Sequence, residues 1–210
     1  MAGILITMEG PDGSGKTTQI ALLAKVLTRE GLEVVQTREP GGTPLADRIR
    51  ALVLDPAHDK MTARTEALLY MAARAQHTVE LIRPAMERGA VVISDRYADS
   101  TLVYQGVARG LPLDSLIWLN RFATEELTPD LTLLLDGDTD CLAQRVTSRG
   151  NKDRLDNEDP EFHRKVREGF LLLAAQNPER FRVIDADRTV ESIQLDIQRC
   201  VQEFLQKRGR

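Results

Sequence analysis

Residues 4–27 read ILITMEGPDGSGKTTQIALLAKVL, and this stretch decides the fold. Its first part, residues 4–8, is a short apolar run that predicts a buried strand. The turn that follows, from Gly10 to Thr17, matches the pattern G-x-x-x-x-G-K-[ST]. Apolar side chains then recur at the 3.6-residue spacing of a helix, at Ile20, Leu23, Ala24 and Leu27. A strand, a glycine-rich turn and a helix in this order predict a phosphate-binding loop; a turn that only caps the helix is the alternative.

The same alternation of strands and helices continues to the end of the chain. Further apolar runs at residues 33–37, 90–94, 131–135 and 182–184 predict buried parallel strands. Helical patterns lie between them, including a long apolar stripe that begins at Leu68 and stops before Gly89. We therefore predict an α/β fold of the P-loop NTPase type, a five-stranded parallel sheet with helices on both faces. Because no linker or repeat interrupts the pattern, residues 1–210 are predicted to form one domain.

Composition and charge limit the classes of function. Of the 210 residues, 42% are apolar and 29% are charged, and the net charge is −4, which argues against a broad nucleic-acid-binding face. Cys141 and Cys200 lack metal-ligand spacing and are too few for a disulfide framework, which favours a reducing cytoplasm. The apolar start meets Glu9 too early for a signal peptide, and no window approaches the roughly 20 apolar residues of a membrane span.

The glycine-rich loop predicts binding of nucleotide phosphates and Mg²⁺. Glycines allow backbone N–H groups to surround phosphate oxygens, and the helix N-terminus adds partial positive charge. Lys16 can reach the β- and γ-phosphates, and the Thr17 hydroxyl can ligate Mg²⁺. Asp95 ends the third predicted strand beside the loop and is a second candidate metal ligand, although it could also be a helix cap. The predicted ATP-binding residues are Gly10, Pro11, Asp12, Gly13, Ser14, Gly15, Lys16, Thr17 and Thr18.

Arginines follow two of the predicted strands. Arg96 comes directly after Asp95, and Arg38 follows the second strand, so both are candidates to hold an anion in the crevice at the strand ends. The glycine pair after Arg38 could let the backbone approach a ligand, although a turn before a helix capped at Thr43 explains the same residues. Arg50, on that helix, would by itself be interpreted as a surface charge.

Other side chains suit a nucleoside. Tyr70 and Arg74 lie four residues apart on one face of the long helix, where a ring and a guanidinium could stack a base and hold a phosphate. An aromatic residue at the core edge beside a solvated arginine is the alternative. Thr101, Tyr104 and Gln105 offer a hydroxyl, a phenol and an amide that could contact a base edge or a sugar, or could simply form a polar helix face.

Taken together, these motifs resemble the bacterial thymidylate kinases, which phosphorylate dTMP. The stretches that carry the resemblance are EGPDGSGKTT, TREPGGT, DRYADSTLVYQG, PDLTLLLD and NKDRLDNED, in family order over most of the chain. The resemblance implies transfer of the γ-phosphoryl group of ATP to dTMP with Mg²⁺, in dTTP biosynthesis. It also implies a cytoplasmic homodimer, in which the long apolar helix could serve both the core and the interface; core burial alone is the alternative.

The resemblance further implies roles for single residues. Lys16 and Arg96 would be catalytic, and Asp12 would lie near the 3′-hydroxyl and phosphate of the acceptor. Tyr104 would crowd the 2′ position of the sugar and favour deoxyribose. Tyr70 occupies the position of an aromatic residue, usually Phe, that stacks on thymine, and its hydroxyl needs a partner if it is buried. The implied substrate-binding residues are Asp12, Arg38, Glu39, Arg50, Tyr70, Arg74, Arg96, Thr101, Tyr104 and Gln105.

Residues 148–159, SRGNKDRLDNED, are expected to belong to a lid at about residues 146–158. Some relatives carry an arginine where this chain has Gly13, so another cation should neutralise the transferring phosphoryl group. Arg149 and Arg154, together with Arg145, are the candidates for this catalytic role. A solvated charged loop is the alternative.

Two other functions are compatible with a phosphate-binding loop of this kind. A GTPase switch needs N-K-x-D, but Asp153 comes one residue too early and no D-x-x-G follows the loop at a strand end. A kinase for another nucleoside or nucleotide would share the fold and the loop and differ only in its acceptor pocket. The pocket arginines favour a monophosphate acceptor over a neutral nucleoside.

Overall fold

A computed structural model describes residues 3–148, 150 and 153–209 of the chain. In this part, five parallel strands form one sheet in the order β2-β3-β1-β4-β5. The predicted P-loop NTPase fold is confirmed, and each predicted strand is present with ends within two residues of the prediction. The strands are β1 Ile4–Glu9, β2 Val34–Arg38, β3 Val91–Asp95, β4 Leu131–Asp136 and β5 Phe181–Asp185.

Helices connect the strands. The long apolar stripe forms one continuous helical stretch, in which the π-helical segment Thr78–Ile82 joins α3 to α4, and it ends before Gly89, whose φ is 88°. A second π-helical segment, Leu102–Ala108, follows α5, and a short 3₁₀ turn lies at Pro56–His58. The α-helices are α1 Lys16–Arg29, α2 Pro44–Leu54, α3 Ala63–His77, α4 Arg83–Glu87, α5 Ala98–Thr101, α6 Leu113–Thr124, α7 Thr139–Ser148, α8 Pro160–Gln176 and α9 Val190–Lys207.

The two faces of the sheet bury separate apolar layers. Along β1, the side chains of Ile4 and Ile6 pack into a cluster with residues of α1 and α9, such as Leu23 and Ile197. The intervening Leu5 packs on the opposite face, against residues of α4 and the π-helical segment before it. Helices therefore cover both faces, as the uninterrupted apolar strands predict.

The order of the strands determines where the candidate site lies. β1 lies between β3 and β4, so the chain that leaves β1 passes over the carboxyl end of β3. Register pairs Met8 with Asp95 and Arg38 with Asp95, which puts the ends of β1, β2 and β3 side by side. The loops that follow these three strands therefore meet in one crevice. Among the described residues, no helix is long and apolar enough to cross a membrane.

Candidate active site

The glycine-rich loop has a conformation that only glycine adopts readily. Gly10, Gly13 and Gly15 have φ values of 137°, 85° and 91°. A Cβ atom on Gly10 would lie 2.3 Å from the carbonyl oxygen of Leu135, and one on Gly13 would lie 2.5 Å from that of Leu142. Since Leu142 belongs to α7, an arginine at position 13 would require this helix to move. The loop thus leaves no room for a cation of its own at that position.

Lys16 begins α1 and is buried. Its Nζ donates to the carbonyl oxygens of Gly10 (3.0 Å) and Pro11 (2.8 Å), so the ammonium group lies inside the loop. Burial, with a smaller effect from Arg96, lowers the pKa of Lys16 to about 8. The side chain is therefore still mainly cationic at neutral pH and lies where nucleotide phosphates bind in loops of this kind.

Thr17 and Asp95 meet across the crevice. The Thr17 hydroxyl donates to Asp95 Oδ2 at 2.8 Å, which links the first turn of α1 to the end of β3. Adjacent oxygen ligands of an octahedral Mg²⁺ lie about 3 Å apart. The hydroxyl and the carboxylate therefore have the spacing and the hard oxygen chemistry that Mg²⁺ requires. Within the described ranges, no group of three or more His, Cys, Asp or Glu could hold a metal by itself.

Arg96 connects the phosphate loop to the far wall of the crevice. Its Nη1 donates to the Gly10 carbonyl oxygen (3.0 Å), and its Nη2 donates to Asp12 Oδ1 (2.7 Å) and the Tyr104 hydroxyl (3.0 Å). Its φ of 69° is uncommon for a residue other than glycine, and such conformations concentrate at functional sites. Burial acts to raise the pKa of Asp12, but the positive charges of Arg96 and Lys16 outweigh it and hold that pKa well below its usual range.

Glu9 supports this turn and was not predicted as a site residue. The backbone N–H of Tyr97 donates to its Oε1 (2.7 Å), and the Ser100 hydroxyl donates to its Oε2 (2.6 Å). Burial, and then the negative charge of Asp99, raises the pKa of Glu9 to about 7. Its position directly before Gly10, as a charged residue ending a buried apolar strand, is the sequence signal that could have identified it.

The crevice opens into a cavity of about 550 Å³ that most of the predicted residues line. Gly10, Pro11, Ser14 and Arg154 are not part of its lining, and Arg149 lies outside the described residues. Residues that were not predicted also line it, among them Ser100, Leu155 and Asp156. The predicted residues in the lining are Asp12, Gly13, Gly15, Lys16, Thr17, Thr18, Arg38, Glu39, Arg50, Tyr70, Arg74, Asp95, Arg96, Thr101, Tyr104 and Gln105.

Two arginines of the cavity lie on either side of the loop after β2, Arg38 at the end of β2 and Arg50 on α2. Arg38 is half-exposed and donates to Asp47 at 3.0 Å, whereas Arg50 donates to the carbonyl oxygen of Pro40 at 2.8 Å. Thr43 caps α2 by accepting from the N–H of Ala46 at 3.3 Å. The helix cap that explained this segment as an alternative is therefore present, and the arginines also line the cavity.

Arg74 is the most heavily bonded side chain of the cavity. Its guanidinium is 1% exposed and donates to Glu39 Oε2 (2.7 Å), Thr101 Oγ1 (2.8 Å), Asn120 Oδ1 (2.7 Å) and the Tyr97 carbonyl oxygen (3.0 Å). The alternative of a solvated arginine is wrong. Tyr70 on the same helix is also buried. The bonds to Glu39 and Asn120 join three separate segments, which a linear pattern cannot show.

Glu39 is held from a second side by a residue that the sequence did not suggest. His77 Nδ1 lies 3.0 Å from Glu39 Oε1, and its Nε2 lies 2.6 Å from the hydroxyl of Thr37. A Cβ atom on Gly42 would lie 2.6 Å from the same Nε2, so this glycine allows the close packing. Glu39 is therefore fixed by two helical side chains behind the cavity.

The candidate lid arginines lie in different surroundings. Arg154 was expected to cover a transferring phosphoryl group, but it is 7% exposed and its Nη2 donates to Glu66 Oε2 at 2.5 Å. Its Nε donates to the Val53 carbonyl oxygen at 3.0 Å. Arg145 does line the cavity and donates to the Ala186 carbonyl oxygen at 3.2 Å. A catalytic role for Arg149 or Arg154 stays a prediction.

Comparison with known proteins agrees with this geometry. A family model described as thymidylate kinase matches residues 8–197. The chain is 47% identical to the thymidylate kinase of Exiguobacterium sibiricum over 210 residues, which covers 100% of this chain and 99% of that protein. It is 50% identical to the thymidylate kinase of Symbiobacterium thermophilum over 207 residues, 99% of this chain and 96% of that protein.

The fold agrees as well. The crystal structure of thymidylate kinase from Ehrlichia chaffeensis superposes with a TM-score of 0.79 at 33% identity, covering 96% of this chain and 99% of that chain. A family match over most of the sequence, relatives near 50% identity and a matching solved structure lead to one conclusion. The chain belongs to the thymidylate kinase family.

Proposed function

We propose that this chain transfers the γ-phosphoryl group of ATP to the 5′-phosphate of dTMP, forming ADP and dTDP for dTTP biosynthesis. The observation that carries the proposal is the position of Arg96. It bonds both the Gly10 carbonyl oxygen of the phosphate loop and the Asp12–Tyr104 wall of the acceptor cavity. A donor-phosphate loop and an acceptor pocket that share one arginine suit in-line transfer between two bound phosphates.

ATP phosphates occupy the loop from Gly10 to Thr18, with Lys16 on the β- and γ-phosphates. Thr17 and Asp95, whose oxygens lie 2.8 Å apart, would hold Mg²⁺, which would supply positive charge to the phosphate oxygens. Lys16 already lies inside the loop, so little reorganisation is needed when phosphate replaces the carbonyl oxygens it now contacts. Binding energy is thereby used for positioning rather than for ordering the side chain.

The acceptor phosphate lies among Arg38, Arg50 and Arg96. A phosphate monoester is largely ionised near neutral pH because its second pKa is about 6, so the reaction needs no strong general base. Asp12, whose pKa is held below its usual range, remains a carboxylate and accepts hydrogen bonds rather than moving a proton. Its role is to hold Arg96 and the acceptor sugar.

The base enters the pocket formed by α3 and the π-helical segment Leu102–Ala108. Tyr70 stacks on the ring, Arg74 and Gln105 bond its edge, and Thr101 lies beside them. Tyr104 lies against the sugar, where its hydroxyl donates to Asp12 Oδ2 at 3.0 Å. The unusual helical segment supports this use, because π-helical turns are frequent at functional sites.

The lid at residues 146–158 closes over ATP within a single domain of residues 1–210. Arg149 carries charge to the transferring phosphoryl group, and Arg145 assists from the cavity wall. Arg154 is assigned the same task by its sequence position, and its contact with Glu66 must then break on closure.

The active form is a cytoplasmic homodimer. Support comes from apolar side chains left exposed on α3, α6 and the segment between α3 and α4, two of which stack at a ring-centroid distance of 5.6 Å. These are Leu68, Val79, Trp118 and Phe122, which are between 53% and 72% exposed. Large apolar side chains exposed in this number are typical of protein interfaces.

A coupled assay of ADP release with dTMP, dUMP, dGMP, AMP and thymidine tests the proposal. We expect dTMP to give the highest kcat/KM, dUMP to be weaker, and thymidine to be inactive because it offers no phosphate to the arginines. Activity confined to AMP or dGMP would contradict the assignment and favour a kinase for another monophosphate.

A further inference from the structure

Glu66 is a buried carboxylate that the proposed chemistry does not use. It lies on α3, one turn before Tyr70, and is 0% exposed. Its Oε1 accepts from Gln105 Nε2 (2.7 Å) and Arg109 Nε (3.3 Å), and its Oε2 accepts from Arg109 Nη2 (3.1 Å) and Arg154 Nη2 (2.5 Å). Burying a carboxylate costs free energy even when the group is well paired. The presence of Glu66 in the interior therefore points to a role beyond folding. Its partners indicate what it does.

Gln105 is the partner that faces the cavity. A carboxamide can present either a donor or an acceptor to a ligand, because its two ends have similar shapes. Here the two Glu66 oxygens are surrounded by N–H donors, so they offer Gln105 only an acceptor. The Gln105 NH₂ group must therefore point to Glu66. Within the described part of the chain Gln105 Oε1 has no hydrogen-bond partner, and it is the atom left for a ligand.

Arg74, which lines the same cavity as Gln105, presents the opposite polarity. Four of its five N–H groups are used by Glu39, Thr101, Asn120 and the Tyr97 carbonyl oxygen. One N–H on Nη2 has no partner among the described residues. The cavity therefore offers one fixed donor, from Arg74, and one fixed acceptor, from Gln105.

We propose that Glu66 is a positioning residue that fixes the direction of the Gln105 carboxamide and so makes the base pocket select for thymine over cytosine. The proposal rests on the proposed function. Thymine carries an acceptor at O4 beside a donor at N3–H, which matches Arg74 and Gln105. Cytosine carries a donor at N4 and an acceptor at N3, so both contacts become mismatched. A site with fixed polar groups rejects a mismatched base strongly because buried groups are left unpaired.

Arg109 and Arg154 complete this arrangement. Arg109 also donates to Glu158 at 2.6 Å and lies over the ring of Phe162, so it is held independently of Glu66. Two guanidinium groups compensate the charge of the buried carboxylate, which would otherwise be unpaired in the interior. While Arg154 keeps this contact it supports the base pocket through Glu66, and Arg109 continues to compensate the carboxylate when the contact with Arg154 breaks on lid closure.

The test is the ratio of kcat/KM for dTMP to that for dCMP in wild type and Glu66→Gln. The introduced amide can donate to Gln105, which allows the Gln105 carboxamide to reverse. We expect the ratio to fall by roughly 10- to 100-fold. The ratio for dTMP to dUMP should not change, because uracil and thymine present the same edge. Glu158→Gln breaks the outer ion pair of Arg109 and leaves Gln105 alone, so its dTMP-to-dCMP ratio should equal that of wild type.

A double variant, Glu66→Gln with Gln105→Glu, exchanges the two groups. The carboxylate at position 105 has only acceptors, so the preference for dTMP should return. If Glu66→Gln does not fold, Glu66→Asp decides: it keeps the negative charge near both arginines but shortens the reach of both oxygens, so Gln105 loses its fixed acceptor and the ratio should fall. A folded Glu66 variant that loses activity equally with dTMP and dCMP would reduce Glu66 to a structural role. Wild-type enzyme without dTMP activity would instead overturn the proposed function.

Discussion

Arg96 Nη2 lies 2.7 Å from Asp12 Oδ1, and this ion pair joins the end of β3 to the phosphate loop. Both residues line the cavity, and the Tyr104 hydroxyl bonds each of them. The pair therefore holds the acceptor wall at a fixed distance from the donor phosphates. Both side chains are partly exposed in the cavity, Arg96 by 14% and Asp12 by 31%, so the pair is placed to contact bound substrates as well as to stabilise the fold.

Asp12→Asn tests this pair. The substitution keeps the shape of the side chain but removes the charge that orients Arg96, so we expect kcat/KM for dTMP to fall roughly 10- to 100-fold. Because the lowered pKa of Asp12 shows that its charge also stabilises the folded state, the melting temperature should fall as well. The measurement is steady-state kinetics beside thermal denaturation. Glu33→Gln is the matched control, since it breaks an exposed ion pair with Arg88 far from the crevice. Equal effects of both substitutions would remove any special role for the Arg96–Asp12 pair.

Lys16→Ala should abolish turnover while the chain stays folded. The ammonium group lies inside the phosphate loop, and no other described side chain bonds both the Gly10 and the Pro11 carbonyl oxygen. Loss of such a phosphate contact typically costs on the order of 10³-fold in rate. Lys25→Ala, on an exposed position of the same helix α1, is the control and should be active. Near-normal kcat in Lys16→Ala would overturn the assigned mechanism.

Arg149→Ala and Arg154→Ala should separate catalysis from stability. Arg154 is buried against Glu66, so its loss leaves that carboxylate less compensated and should lower the free energy of unfolding by about 1–3 kcal/mol. Arg149→Ala is expected to lower kcat more than it raises the KM for dTMP and to leave the melting temperature unchanged. Steady-state kinetics and chemical denaturation of the two single variants show which arginine contributes to catalysis and which to stability. Loss of kcat in Arg154→Ala without loss of stability would support direct contact with the phosphoryl group.

The proposed dimer surface can be disrupted at one position. Phe122 is 72% exposed and stacks on Trp118, so Phe122→Glu places a charge in an apolar contact without disturbing the core. We expect the chain to sediment as a dimer and the variant as a monomer in analytical ultracentrifugation at micromolar concentration. Leu195→Glu alters an exposed apolar residue on α9 and should leave the dimer intact. A monomeric wild-type chain would contradict the proposal.

Local sequence patterns were sufficient to predict the fold, because the central strands β1, β3 and β4 are largely apolar and buried and the longer helices between strands keep the 3.6-residue period. The carboxyl-end rule for parallel sheets also brought Asp95 and Arg96 to the phosphate loop. Partners of buried polar groups could not be predicted in this way. Glu66 and Arg154 are 88 positions apart, and nothing at either position indicates that they form an ion pair. The sequence pattern made Arg154 a candidate lid residue, but only the packing of the fold shows that its side chain points to Glu66.

The buried carboxyl group of Glu9 should make the free energy of unfolding depend on pH. Burial raises its pKa from an ordinary value of 4.5 to about 7, so between these values the folded chain binds more protons than the unfolded chain. Its contribution to the free energy of unfolding must then fall as the pH rises through this window, and stay constant above it. Glu9→Gln cannot ionise; its carbonyl oxygen can accept from the Tyr97 N–H while its NH₂ group donates to the Ser100 hydroxyl. The free energy of unfolding of wild type relative to that of Glu9→Gln should therefore fall by on the order of 2 kcal/mol between pH 5 and pH 7.5.

Chemical denaturation at several pH values measures this difference in unfolding free energy, with Glu30→Gln at an exposed position as the control. A difference that does not vary with pH would show that Glu9 is ionised throughout and that its two hydrogen bonds fully compensate its burial.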